Sequence, residues 1–140
     1  MEQERQTRLR EFSKRYTAAW CSQNAQSVAN FFSPEGSLTI NGGTPAIGRE
    51  AITVAAQDFM TAFPDLVVMM DDLLDQGDVV IYKWTLLGTN TGPGGTGKRV
   101  RISGYEEWQF GADGLVVESQ GHFDATEYQR QVEHGVGGNV

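Results

Sequence analysis

The sequence predicts an α+β fold in which helices lead and an antiparallel sheet follows. Three observations carry this reading. Leu9, Phe12, Tyr16, Ala19 and Trp20 recur at i, i+3, i+7, i+10 and i+11, one stripe of an amphipathic helix. From Asp65 onward the apolar residues change to the alternation of strands, so helical and extended segments are segregated rather than interleaved. The length of 140 residues suits a single core, with residues 1–134 as one domain and a glycine-rich flexible tail over 135–140.

The first helix carries the Leu9 to Trp20 stripe. Asn24 is placed to cap a second, shorter helix bearing Val28, Phe31 and Phe32, which Ser33-Pro34-Glu35-Gly36 would end. Leu38 to Ile40 reads as a short strand. Ile52, Ala55, Ala56, Phe59 and Phe63 mark the apolar face of a third helix, stopped by Pro64. Strands are expected over 66–70, 79–87, 100–110 and 115–123, and a last helix through Tyr128 and Val132. Asn90 to Gly97, rich in glycine, reads as a long flexible hairpin connection, either a surface loop or a lid. It lacks the Gly-Lys-Ser/Thr ending and the strand-to-helix setting of a phosphate loop.

Composition narrows the function. Eighteen acids against eleven bases give a net charge of −7, which opposes binding to nucleic acid or an anionic membrane surface. Cys21 is the sole cysteine and His122 and His134 are the only histidines, so neither a disulfide framework nor a Cys/His metal site is expected. The polar N-terminus and the lack of a long apolar run point to a cytoplasmic protein.

Chemistry concentrates in the last two strands. Alternation over 100–110 places Val100, Ile102, Gly104, Glu106, Trp108 and Phe110 on one face. Glu106 is the anomaly there, because a carboxylate facing a core must be paired, protonated or at a cavity wall. Two readings stand: Glu106 lines a pocket, or a β-bulge turns it outward. Gly114 suits the left-handed position of the loop Gly111 to Gly114, which sets Gly111 opposite Leu115 and Phe110 opposite Val116. Continued without interruption, that register gathers Glu106, Gln120, His122 and Asp124 on one face, whereas a one-residue slip brings Leu115, Val117 and Phe123 there instead.

Each of these residues also has a plain structural role. Asp124-Ala125-Thr126-Glu127 has capping-box spacing, so Asp124 either caps the last helix or serves as an acid/base, and the two are compatible. His122 is read either as a structural hydrogen-bonding histidine or as a proton shuttle. Trp20, Phe31, Phe32 and Trp84 suit packing, and Gln120 suits a solvent-facing position.

The run AFPDL (Ala62 to Leu66), the acidic turn ending in Gly77-Asp78, the strand YKWTLLGTNTG (Tyr82 to Gly92) and DGLVVES followed by HFDATEYQRQ resemble the SnoaL-like polyketide cyclase family, from about Leu9 to Gln131. The resemblance implies a cone-shaped α+β fold like that of nuclear transport factor and ketosteroid isomerase, a homodimer, and a deep apolar pocket between helices and sheet. It further implies a cofactor-free enzyme closing a polyketide ring by intramolecular aldol condensation on a hydrophobic, carbonyl-bearing small molecule. Asp124 matches the family's acid/base aspartate, with His122 or a protonated Glu106 as donor to the developing oxyanion. Trp20, Phe31, Trp84, Trp108 and Gln120 would form the pocket wall. Many relatives carry tryptophan where Gln120 stands and a polar residue near Gly121, so this wall differs. Ketosteroid-type proton transfer and a non-catalytic dimeric binding protein are the alternatives. Epoxide hydrolysis of the limonene type needs an Asp-Arg-Asp arrangement, and Arg99 and Arg101 alternate onto the opposite face.

Overall fold

The computed structural model describes residues 2–136. Its elements run α1 (Glu2–Cys21), α2 (Ala25–Ala29), β1 (Phe32–Ile40), β2 (Ala46–Ile47), α3 (Arg49–Ala62), β3 (Val67–Asp75), β4 (Val80–Thr89), β5 (Arg99–Phe110), β6 (Val116–Phe123) and α4 (Ala125–His134). Helices pack on one open, six-stranded sheet in the order β2-β1-β6-β5-β4-β3. No helix among the described residues is long and apolar enough to cross a membrane.

The α1 stripe is buried along its whole length, with Tyr16 fully enclosed at its centre. Asn24 caps α2 as its residue type suggests, its side chain accepting from Ser27 N. The second helix is shorter than expected. It ends at Ala29, and Phe32 opens β1 with its ring fully buried. The Ser33 to Gly36 segment continues the strand irregularly instead of ending a helix. A Cβ on Gly36 would lie 2.8 Å from Val116 O, so the backbones of β1 and β6 approach closely there.

The sheet is mixed, not purely antiparallel: β1 pairs with β6 in parallel, while the remaining pairs are antiparallel. The connectivity explains this. After β1 the chain crosses through α3 to the far edge, and three antiparallel hairpins bring it back to lie beside the strand it left.

The 90–97 loop is tied down on both sides. Asn90 N donates to Lys98 O at 2.8 Å, and Thr96 Oγ1 reaches Val132 O of α4. A Cβ on Gly92 would fall 2.0 Å from Thr61 O, so glycine is required for this contact with α3. Of the expected tail, residues 137–140 lie outside the described residues. Gly135, at φ +83°, instead closes α4, its N–H donating to Gln131 O at 2.7 Å.

Candidate active site

The alternation of β5 turns Ile102, Gly104, Glu106 and Trp108 toward the helices. Glu106 is 7% exposed and sits beneath α1. Its Oε1 accepts from Trp108 Nε1 at 2.8 Å, Ser119 Oγ at 2.7 Å and Tyr16 Oη at 3.0 Å. Oε2 has the single partner Tyr16 Oη, at 3.0 Å. The two oxygens are therefore unlike: one is saturated and the other is open to a further partner.

Burial pushes the Glu106 carboxyl above its ordinary range, and the donors from Trp108, Ser119 and Tyr16 only partly offset it. The Tyr16 phenol is held well above its usual value, first by burial and then by the charge of Glu106, so it remains a donor. Tyr82 is raised as well, chiefly by burial.

Glu106 forms part of the wall of a partly open cavity of about 60 Å³. That is room for a few water-sized groups at roughly 10–15 Å³ each. Trp20, Phe59, Tyr82, Trp84, Phe123 and Tyr128 supply most of the aromatic wall, Ile40, Leu86 and Ile102 aliphatic surface. No lysine, arginine or histidine is among the lining residues. Among the described residues, one lining side chain has an unmet hydrogen bond: Trp84 Nε1 is buried and without a partner there.

The expected convergence of Glu106, Gln120, His122 and Asp124 does not occur. The hairpin begins as predicted, with Gly114 at φ +77°, Gly111 N donating to Leu115 O, and Phe110 opposite Val116. The register then shifts by one, so that Gln109 pairs with Glu118 and Val117 is the extra, outward residue. Trp108 consequently faces Ser119 and Glu106 faces Gly121, while Tyr105 is opposite His122.

Gln120 and His122 lie on the outer side of the sheet. His122 Nε2 meets Glu107 Oε1 at 2.7 Å, and its ring stacks on Tyr105 at 4.7 Å. Gln120 Nε2 donates to Glu118 Oε2. Asp124 is exposed, its Oδ1 accepting from Glu127 N at 3.0 Å as the cap of α4. It shares an open groove with Asn41, Ser103, Tyr105 and His122, apart from the cavity that holds Glu106.

Among the other expected wall residues, Trp20 and Trp84 line the cavity. Trp108 lies behind it, fully buried and bonded to Glu106. Phe31 packs against Phe12 and Tyr16, away from it.

As site residues, sequence reasoning missed Tyr16, Ser119 and Tyr128, and it placed Phe123 on this face only in the slipped register. Tyr16 was legible only as the middle of the α1 stripe. For β6 the usable signal was glycine. A Cβ on Gly111 would lie 2.7 Å from Val117 Cγ1, which marks the place where the extra residue is accommodated. Gly121 leaves space beside the Glu106 side chain, whose Cγ would be 3.8 Å from an added Cβ. Among the described residues, no three His, Cys, Asp or Glu side chains converge as a metal site.

A family model described as SnoaL-like polyketide cyclase matches residues 10–132. No curated protein matches the sequence significantly. Among solved structures, a SnoaL-like polyketide cyclase candidate from Jannaschia sp. CCS1 is 20% identical with a TM-score of 0.78, covering 91% of this chain and 92% of that one. TsrD from Streptomyces laurentii is 21% identical with a TM-score of 0.77, over 90% and 95% of the two chains. A protein of ketosteroid isomerase-like fold from Catenulispora acidiphila DSM 44928, solved with trimethylamine, is 16% identical with a TM-score of 0.75, over 84% and 88%. These likenesses establish a shared fold.

Proposed function

The chain belongs to the SnoaL-like polyketide cyclase family, and from that premise we propose that it performs acid/base chemistry on a small, hydrophobic, carbonyl-bearing molecule, with Glu106 as the proton carrier. The observation that carries this reading is a buried carboxyl on the wall of an aromatic cavity, raised above its ordinary range by burial, with one oxygen unsaturated. In an intramolecular aldol reaction, Oε2 takes a proton from the carbon α to one carbonyl. The resulting enolate carbon bonds to a second carbonyl carbon of the same molecule, and the alkoxide formed there recovers the proton from Glu106. The product is an isomer of the substrate, and no oxidant or reductant enters. Trp108, Ser119 and Tyr16 hold the carboxyl in one orientation throughout.

Asp124 in this reading holds α4, and α4 carries Tyr128 against the cavity. Pairing of two copies through the outer sheet face, where Val67, Met69 and Tyr105 are exposed, belongs to the same proposal. Sedimentation giving a monomer would remove that part alone.

Exchange of the α-hydrogens of cyclopentanone for deuterium, followed by NMR in heavy water, tests the proton transfer without knowledge of the natural substrate. The native protein should accelerate exchange, and Glu106→Gln should lose roughly 10²-fold or more of that acceleration. Equal exchange by the two proteins, or none above background, overturns the reading.

A second reading has its own support. Three donors on one oxygen also describe a buried structural carboxyl in a non-catalytic binding protein. It predicts ligand binding with no exchange at all.

A further inference from the structure

The cavity contains a second polar feature that the proton-transfer step leaves unused. Trp84 lines the same space as Glu106, and its Nε1 is enclosed without an acceptor. An indole N–H can only donate, so no rotation or change of tautomer relieves it. Buried donors in folded proteins are nearly always paired, and an exception in a cavity wall calls for a partner that arrives from outside.

The indole is also held in place. Trp84 pairs across the sheet with Gly104, and a Cβ there would lie 2.7 Å from Trp84 Cζ2 and 2.9 Å from Cη2. Glycine at this inward position lets the ring lie directly over β5. The Phe123 ring meets it edge-on at 6.0 Å. Tyr82 pairs with Glu106 and Trp84 with Gly104, so Trp84 and Glu106 are diagonal neighbours on adjacent strands, roughly 7–8 Å apart at the backbone.

We infer that Trp84 Nε1 is the specificity-determining donor of this cavity, and that the ligand is a neutral molecule presenting a carbonyl or ether oxygen to it. This rests on the reading of the cavity as the binding site and adds the ligand's second point of attachment. Neutrality follows from the two groups together: with no cationic side chain in the wall an anion would lose its hydration uncompensated, and a cationic group offers the donor-only Trp84 N–H no acceptor. The substrate class is therefore a bifunctional apolar molecule, with one oxygen at Trp84 and the reacting carbon near Glu106.

Cyclopentanone and methylenecyclopentane, nearly identical in shape, differ in having C=O or C=CH2 and serve as probes. The ratio of their Kd values is compared between the native protein and Trp84→Phe, so that the greater hydrophobicity of the hydrocarbon cancels. The expected result is a loss of about tenfold in preference for the ketone on substitution. In the native protein, the Trp84 indole N–H resonance should move downfield with the ketone and not with the hydrocarbon, a readout that needs no variant. An unchanged ratio, or an indole signal that responds alike to both probes, overturns the inference and leaves the cavity a binding site. Failure of both probes to perturb any cavity residue overturns the inference together with the binding-site reading. Ketone-specific movement of the indole without α-hydrogen exchange sustains the inference and removes the acid/base role of Glu106.

Discussion

Trp108 Nε1 donates to Glu106 Oε1 at 2.8 Å, a bond between two inward residues two positions apart on β5. Since the indole N–H has no acceptor capacity, it commits Oε1 to accepting whatever the protonation state of the carboxyl. Any proton on Glu106 therefore resides on Oε2, the oxygen with a single partner. The asymmetry of this carboxyl is set by a neighbour on its own strand.

Glu106→Gln and Glu106→Leu should separate chemistry from architecture. An amide oxygen in the Oε1 position retains the bonds from Trp108 and Ser119, so Gln should change stability by no more than about 1 kcal/mol. Leucine strands the Trp108 N–H and forces the Tyr16 and Ser119 hydroxyls to find other partners. A loss of roughly 2–4 kcal/mol in urea denaturation is expected for Leu, since each orphaned buried donor costs about 1–3 kcal/mol.

The pH dependence of stability should carry the sign of a raised carboxyl. The folded state holds the Glu106 proton to higher pH than the unfolded chain, whose carboxyl titrates near the ordinary glutamate value of 4.5. The folded protein then binds more protons above that pH, and its stability falls as pH rises through the folded pKa. Glu106→Gln should lack this decline, so the urea midpoints of the two proteins should diverge from about pH 4.5 upward. Glu127 acts in the opposite direction. Its hydrogen bonds from Arg130 and Gln131 hold it at about 2, so its contribution is present above 4.5 and fades as pH falls toward 2.

Asp124 should behave as a helix cap. Asp124→Asn keeps an oxygen for Glu127 N and should be nearly neutral in stability, while Asp124→Ala should cost about 1 kcal/mol. In the cyclopentanone exchange measurement, Asp124→Asn should retain most of the native rate. A loss equal to that of Glu106→Gln would move the proton-transfer role to Asp124.

Gly104→Ala should be disruptive for so small a change. The added methyl would meet His122 O at 2.3 Å and the Trp84 ring at 2.7 Å, and the former is backbone that can yield only by moving β6. A loss of roughly 1–3 kcal/mol is expected, measured by thermal or urea denaturation, with a shift in Trp84 fluorescence.

Most of the elements were legible in the residues alone, because each rests on a local pattern. The α1 stripe, the α3 face and the alternation that sets Glu106 on the face of Ile102 and Trp108 follow from periods of the backbone, and the cap at Asp124 from residue type and spacing, all local properties, whereas alternation alone left open whether a bulge turned Glu106 outward. The loop Gly111 to Gly114 was equally legible, because a left-handed glycine is a local requirement.

Which residues meet Glu106 depended on contacts between distant segments. One extra residue at Val117 reverses the face of every later position in β6, sending His122 and Gln120 outward and bringing Ser119, Gly121 and Phe123 in. The parallel pairing of β6 with β1 and the descent of Tyr16 onto the carboxyl likewise join segments far apart in the chain. Such contacts depend on how much apolar surface each competing register buries, a comparison made between strands and helices together. An alternating pattern within one strand fixes its two faces, and packing chooses which neighbour each face receives.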